Sequence, residues 1–129
     1  MILVDTGPLY ALAMRRDALH ERAHEELVAL RPQGLMMSTS NLLETQSLLL
    51  RRETPAFVSS YINALLKGND LINPSTEDYL QAQTLLGRFE DQRISLFDAV
   101  LVVLSETLNL PIWTFDTDFD VMRARVWRA

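Results

Sequence analysis

The chain has 129 residues, the size of one ordinary domain, and 48% of them are apolar, which suffices for a hydrophobic core. It contains no cysteine, which excludes a disulfide framework and any thiolate metal site and suits a reducing compartment. The net charge of −5 weighs against a nucleic-acid partner, because phosphate is repelled by a negative surface.

Two details offset that charge. Several of the 17 acids are candidates for one metal-binding cluster, whose charge an ion would neutralise. Eleven of the twelve basic residues are arginine. That bias either serves bidentate phosphate contacts or merely reflects genome composition.

The N-terminal run Met1-Ile2-Leu3-Val4 lacks the basic start of a signal peptide, and Asp5 interrupts it. The apolar run Ala99 to Leu104 is far short of the roughly 20 residues that span a bilayer. The expectation is a cytoplasmic protein with no membrane partner, built as a single domain over residues 1–129.

In chain order, Ile2-Leu3-Val4 reads as a strand closed by the turn signal Thr6-Gly7-Pro8, with a helix from about Leu9. Residues 18–31 form an amphipathic helix whose stripe is Leu19, Ala23, Leu27 and Leu30. Leu35-Met36-Met37 is a second strand. Ser38-Thr39-Ser40-Asn41 offers helix caps before a helix from Leu42 to Arg52. Another helix is expected from Pro55 to Lys67, then a strand at Leu71-Ile72 and a helix over 75–88. Ser95 opens a very apolar helix through Leu108. Ile112-Trp113-Thr114-Phe115 is the clearest strand, and Arg125-Val126-Trp127 is a candidate to close the sheet. Strands separated by helices imply an α/β domain with a parallel sheet covered on both faces.

Ligands bind such sheets at the carboxyl ends of the strands. Asp5 and Asp116 fall at strand ends, while Glu44 and Asp98 are expected in the opening turns of helices. Each has an ordinary explanation. Ser95-Leu96-Phe97-Asp98 and, loosely, Asn41-Leu42-Leu43-Glu44 fit capping boxes, and Asp116 fits a cap for a short helix near Phe119. Asp98 resists that explanation most, because its helix is apolar nearly all round and a carboxylate there must be paired or bound to a cation. Crowded carboxylates repel unless a cation intervenes, and oxygen ligands without cysteine suit Mg²⁺ or Mn²⁺ better than zinc.

The ordered set Val4-Asp5-Thr6, Asn41-Leu42-Leu43-Glu44, Ser95-Leu96-Phe97-Asp98-Ala99 and Thr114-Phe115-Asp116-Thr117-Asp118-Phe119 resembles the motifs of PIN-domain nucleases, and most closely the VapC toxins of toxin–antitoxin pairs. The resemblance spans Met1 to at least Phe119. It implies a three-layer α/β/α fold, Mg²⁺- or Mn²⁺-dependent endoribonuclease activity, a cognate antitoxin and a homodimer. By position, Asp5, Glu44, Asp98 and Asp116 match the family's acidic, metal-binding site. Thr6 and Thr114 match its hydroxyl positions, and Asp118 is a possible extra acid, whereas Asp120 equally suits the surface. Gly7 departs from the Ser or Asn of many relatives. The implied substrate is RNA, whether a tRNA, an mRNA or a ribosomal loop, and Arg51, Arg52, Arg88 and Arg93 are candidates to grip its backbone.

A rival motif points to other chemistry. His20-Glu21-Arg22-Ala23-His24 matches the zinc-peptidase pattern H-E-x-x-H. It is charged internally by Arg22 and followed by Glu25-Glu26, and no third histidine exists in the chain. A non-catalytic interaction module that kept the fold is the third alternative, against which the presence of all four acids argues.

Overall fold

The computed structural model describes residues 1–129. Its first strand, β1 (Ile2–Val4), runs straight into helix α1 (Thr6–Ala13), whose N-cap is Asp5. The helix thus begins three residues earlier than the turn signal suggested. Pro8 is its third residue, where no intrahelical N–H is required, so the ring is tolerated. Helix α2 (His20–Leu30) and a 3₁₀ turn (Arg31–Gln33) follow. Gly34 then adopts φ 78°, a conformation that side chains disfavour, and feeds β2 (Leu35–Ser38).

Ser38 both ends β2 and caps α3 (Thr39–Leu49). Glu44 consequently lies in the second turn of that helix, not the first. Thr54 caps α4 (Pro55–Gly68), with proline at the favoured start. Strand β3 (Asp70–Ile72) precedes α5 (Thr76–Leu86) and a second 3₁₀ turn (Gly87–Phe89). Ser95 caps α6 (Leu96–Leu108), which ends at a left-handed Asn109. The last strand, β4, comprises only Ile112–Trp113, and α7 (Asp118–Val121) follows it. Thr114 and Phe115, expected in the strand, lie beyond it because the Thr114 hydroxyl takes part in side-chain bonding that turns the chain.

All strand pairs are parallel, in the order β3-β2-β1-β4. Val126 adds a single parallel bridge to Ile112, so the candidate closing segment contributes one bridge outside β4. Strand alternation distributes the core over two faces. Ile2, Val4, Met37 and Trp113 pack with Leu9, Ala23, Leu30, Leu42 and Leu65 of α1 to α4. Leu3 and Ile112 pack instead with Leu101, Leu104, Phe119 and Met122 of α6, α7 and the residue after it. The architecture is therefore three layers, α/β/α.

Helix α6 is wrapped on both sides. Leu101, Val102 and Leu104 face the sheet, whereas Ala99, Val100 and Val103 face Ala82 and its neighbours on α5. Each of these buried leucines and valines contributes about 1.5–3 kcal/mol. That packing fixes the helix's rotation and hence the direction of Asp98 at its start. No helix is long and apolar enough to cross a membrane.

Candidate active site

Strand β1 pairs with β2 on one side and β4 on the other, so the chain's direction of travel across the sheet reverses at β1. A crevice opens at such a reversal, beyond the strands' carboxyl ends. Here it is a cleft of about 510 Å³ lined by Asp5, Glu44, Asp98 and Asp116, with Thr6, Gly7, Tyr10, Leu48, Ser95, Phe115 and Thr117 completing its wall.

Asp5 is buried at the end of β1 and accepts three hydrogen bonds. The Thr6 backbone N–H donates at 2.8 Å, the Thr114 hydroxyl at 2.7 Å and the Asn41 amide at 3.3 Å. Burial pushes its pKa up to about 6. The Thr114 and Thr6 bonds oppose that rise, and the charges of Glu44 and Asp116 add to it. The Thr6 hydroxyl donates to Glu44 Oε1 and accepts from Asn41 Nδ2 at 2.9 Å. Asn41 thereby ties the carboxylate of β1 to that of α3.

Asn41 was legible only as part of a motif, not as a site residue. Its signal was the spacing Asn41-x-x-Glu44, which places both on one face of a helix. The residue is fully buried and its Oδ1 has no partner. The amide is held by its two donated bonds alone.

Two aspartates, Asp78 and Asp98, close a Ser-x-x-Asp pattern at a helix start, and they differ in how the carboxylate is used. In α5 the pattern is reciprocal, because Ser75 Oγ accepts from the Asp78 N–H at 3.1 Å and the Asp78 carboxylate accepts from the Ser75 N–H at 2.8 Å. In α6 only the first half exists, with Ser95 Oγ accepting from the Asp98 N–H at 3.2 Å. The Asp98 carboxylate is not spent on its own cap. Partial burial, followed by the charges of Asp5, Asp116, Glu44 and Asp118, raises its pKa to about 8.

Past β4, the Asp116 N–H donates to Thr114 Oγ1 at 2.9 Å, and the Asp118 N–H donates to Asp116 Oδ1 at 2.8 Å. This turn brings the two acids to Asp98. One carboxylate oxygen from each of Asp98, Asp116 and Asp118 lies within 4.8 Å of the others. The Asp118 pKa is raised by burial and by Asp116. Asp118, expected only as a supporting acid, thus joins the tightest grouping, while Asp5 and Glu44 line the same cleft outside that trio. Asp120 points elsewhere and pairs with Arg128.

The donor set consists of carboxylate oxygens, with hydroxyl and amide groups orienting them, and it suits a hard divalent cation such as Mg²⁺ or Mn²⁺. Burial first, and then the crowding of acids, drives Asp98 toward the protonated form, and a bound cation would relieve the repulsive part. Gly7 does not conflict with this arrangement. A Cβ there would meet Phe115 at 3.9 Å, an ordinary contact that leaves room for a small side chain.

The histidine motif assembles no comparable site. His20 opens α2, its Nδ1 sits 2.7 Å from the Ala11 carbonyl, and its ring stacks edge-on against His24 at 4.5 Å. No acid joins them, since the sole group of three or more such ligands is the aspartate trio. The helix does approach the cleft more closely than its sequence position suggested. The Arg22 guanidinium lies 4.8 Å over the ring of Phe115, a cleft-wall residue, while Arg22 pairs with Glu26 and Glu26 accepts from the buried Trp113 indole.

The four candidate arginines are dispersed. Arg51 lines a groove that shares Glu44 and Leu48 with the cleft. Arg52 faces a separate cavity beside Arg15 and Arg16. Arg88 lies with Gln81, Thr84 and Glu106 on the α5–α6 surface, away from the acids, and Arg93 is exposed two residues before Ser95.

A family model described as the PIN domain matches residues 2–124 of the chain. Among solved structures, VapC20 of Mycobacterium tuberculosis, described as a sarcin–ricin-loop-cleaving toxin, is 26% identical with a TM-score of 0.89, covering 100% of both chains. VapBC2 of Rickettsia felis, bound to a DNA fragment from its promoter, gives 15% identity and a TM-score of 0.78 over 99% of this chain and 98% of that one. FitAcB of Neisseria gonorrhoeae gives 17% and 0.71, over 99% and 97%. No curated protein sequence matches the chain.

Proposed function

Because the chain belongs to the PIN-domain family, we propose that it is a metal-dependent endoribonuclease, acting in the cytoplasm as one nuclease domain over residues 1–129. The observation that carries this reading is the Asp98 carboxylate, left free by its own helix cap and gathered with Asp116 and Asp118 beside Asp5 and Glu44. Asp98, Asp116 and Asp118 would hold the ion, with Asp5 and Glu44 completing the acidic wall. A bound Mg²⁺ or Mn²⁺ supplies charge stabilisation and activation of water at a phosphodiester. Thr114 and Asn41 fix the Asp5 carboxylate, and Thr6 orients Glu44. A cleavage assay on mixed RNAs with Mg²⁺, Mn²⁺, Zn²⁺ and chelator tests the reading, and cleavage insensitive to chelator contradicts it.

The likeness to VapC20 nominates the sarcin–ricin loop as the first defined substrate to try. The toxin role, a cognate antitoxin and a homodimer follow from the same family. Among the similar structures is a toxin–antitoxin complex of Klebsiella pneumoniae.

The fragments are expected to carry 5′-phosphate and 3′-OH ends. Attack by the RNA's own 2′-OH commonly uses histidines as general base and acid, and no histidine lines the cleft, whose carboxylates suit a metal that activates water instead. Mass spectrometry of the fragments decides, and 2′,3′-cyclic phosphates would remove the hydrolytic mechanism. Replacing His20 and His24 together by Ala should leave metal-dependent cleavage within about a few-fold of the parent. Zinc retained by the parent but lost from the double variant, together with activity, would reinstate the rival motif.

A further inference from the structure

Three guanidiniums that no recognised motif contains converge on one face of the molecule. Arg15 and Arg16, just past the end of α1, and Arg52, just past the end of α3, line a cavity of about 670 Å³ with Ala13, Met14, Glu53 and Phe57. All three are exposed. None of them forms an ion pair, since the two ion pairs of the protein are Arg22–Glu26 and Arg128–Asp120. Glu53 is the only acid in the lining, so this patch carries a local excess of two positive charges in a chain whose net charge is −5. Exposed guanidiniums gathered around one cavity create a local positive field that attracts anions.

The helices indicate what visits. α1 starts at Thr6 and α3 carries Glu44 and Leu48, all in the wall of the acidic cleft, and the two helices pack side by side. Both end at the arginine cavity. An eight-residue helix is about 12 Å long, so the basic cavity lies roughly that far from Asp5 at the start of α1. Tyr10, midway along α1, lines the cleft and bridges the interval. Phe57, in the lining of the basic cavity, is 40% exposed. A positive groove with an exposed aromatic is the combination that holds single-stranded nucleic acid by its phosphates and bases.

We propose that Arg15, Arg16 and Arg52 form a phosphate-binding subsite for single-stranded RNA that runs from the acidic cleft along α1 and α3, with Phe57 as a stacking platform. The subsite rests on the nuclease reading for its RNA, and it engages nucleotides distant from the scissile bond. It accounts for how an acidic protein holds a polyanion.

The test separates binding from chemistry. Fluorescence anisotropy with labelled oligouridylate, in chelator, is followed across a KCl series for the parent and for the Arg15→Gln/Arg16→Gln/Arg52→Gln variant. Affinity should fall by about tenfold or more, and the slope of log K against log salt should shrink by about two, at roughly 0.7 for each phosphate that is no longer neutralised. The corresponding triple lysine variant keeps the charge and should retain the parent's slope. In cleavage, the glutamine variant should show a raised KM and unchanged kcat on long RNA, and parent-like kinetics on an oligonucleotide ending at the acidic cleft. Unchanged affinity and slope, or equal losses on short and long substrates, would overturn the subsite. Tighter, arginine-dependent binding of polyglutamate than of RNA would assign the groove to an acidic protein and overturn it likewise. Arginine-dependent RNA binding without metal-dependent cleavage by the parent would keep the subsite and remove the nuclease reading.

Discussion

Asp98→Asn is expected to abolish RNA cleavage, with a loss on the order of 10³-fold, the scale seen when one preorganised charge-stabilising group is removed. The substitution keeps the backbone N–H that donates to Ser95 Oγ, so the start of α6 retains its cap. Above about pH 8, where Asp98 is ionised, it removes one negative charge from beside Asp5, Asp116, Glu44 and Asp118. Without metal, the variant should therefore be as stable as the parent or more so, because repulsion is relieved. Asp78→Ala is the matched control. Asp78 spends its carboxylate on a complete capping box, so its loss should cost roughly 0.3–1 kcal/mol of stability and leave cleavage intact. Thermal melts beside a cleavage assay read both. An active but destabilised Asp98→Asn protein would show that Asp98 is only a cap.

The second large effect is a fall in stability with rising pH that metal opposes. In the metal-free protein, burial and its acidic neighbours raise Asp98 to about 8, and burial raises Asp5 to about 6, both from an unfolded value near 3.8. A folded state that binds protons more tightly than the unfolded state is favoured at low pH. Stability should thus fall as pH rises, through both groups between about 4 and 6 and through Asp98 alone between about 6 and 8. The slope per group cannot exceed about 1.4 kcal/mol per pH unit. A divalent ion binds the deprotonated carboxylates, so its stabilisation should grow over the same window. At a concentration about 100 times its dissociation constant it adds about 2.7 kcal/mol. Melting curves at several pH values with chelator, Mg²⁺ and Mn²⁺ would show the difference. A metal effect that shrinks toward pH 8, or that persists in Asp98→Asn, would separate the ion from this cluster.

The sheet and its layers were legible because short apolar runs between amphipathic helices leave few alternatives. Helix α6 declared its burial by being apolar all round, and that made its single acid near the start conspicuous. What escaped depended on side-chain direction or on distant contacts. The start of α1 was misplaced because Gly7-Pro8 signals a turn as readily as a first helical turn. Strand β4 was overlong because nothing in Thr114-Phe115 announces that the hydroxyl will bind Asp5 at the end of the neighbouring strand. Asp118 ranked below Asp5 and Glu44 because its approach to Asp98 comes from a tight turn at Asp116. Arg15 and Arg16 drew no notice, since only the packing of α1 against α3 brings them to Arg52.

The position of β4 in the chain has a temporal consequence. The acids of the cleft come from four separated stretches, and the last of them follows Ile112–Trp113, which must insert beside β1 before Thr114 can reach Asp5. A nascent chain halted before that point on the ribosome holds Asp5, Glu44 and Asp98 but has nothing to close the crevice. Synthesis therefore delays completion of the cleft until nearly all of these residues have emerged.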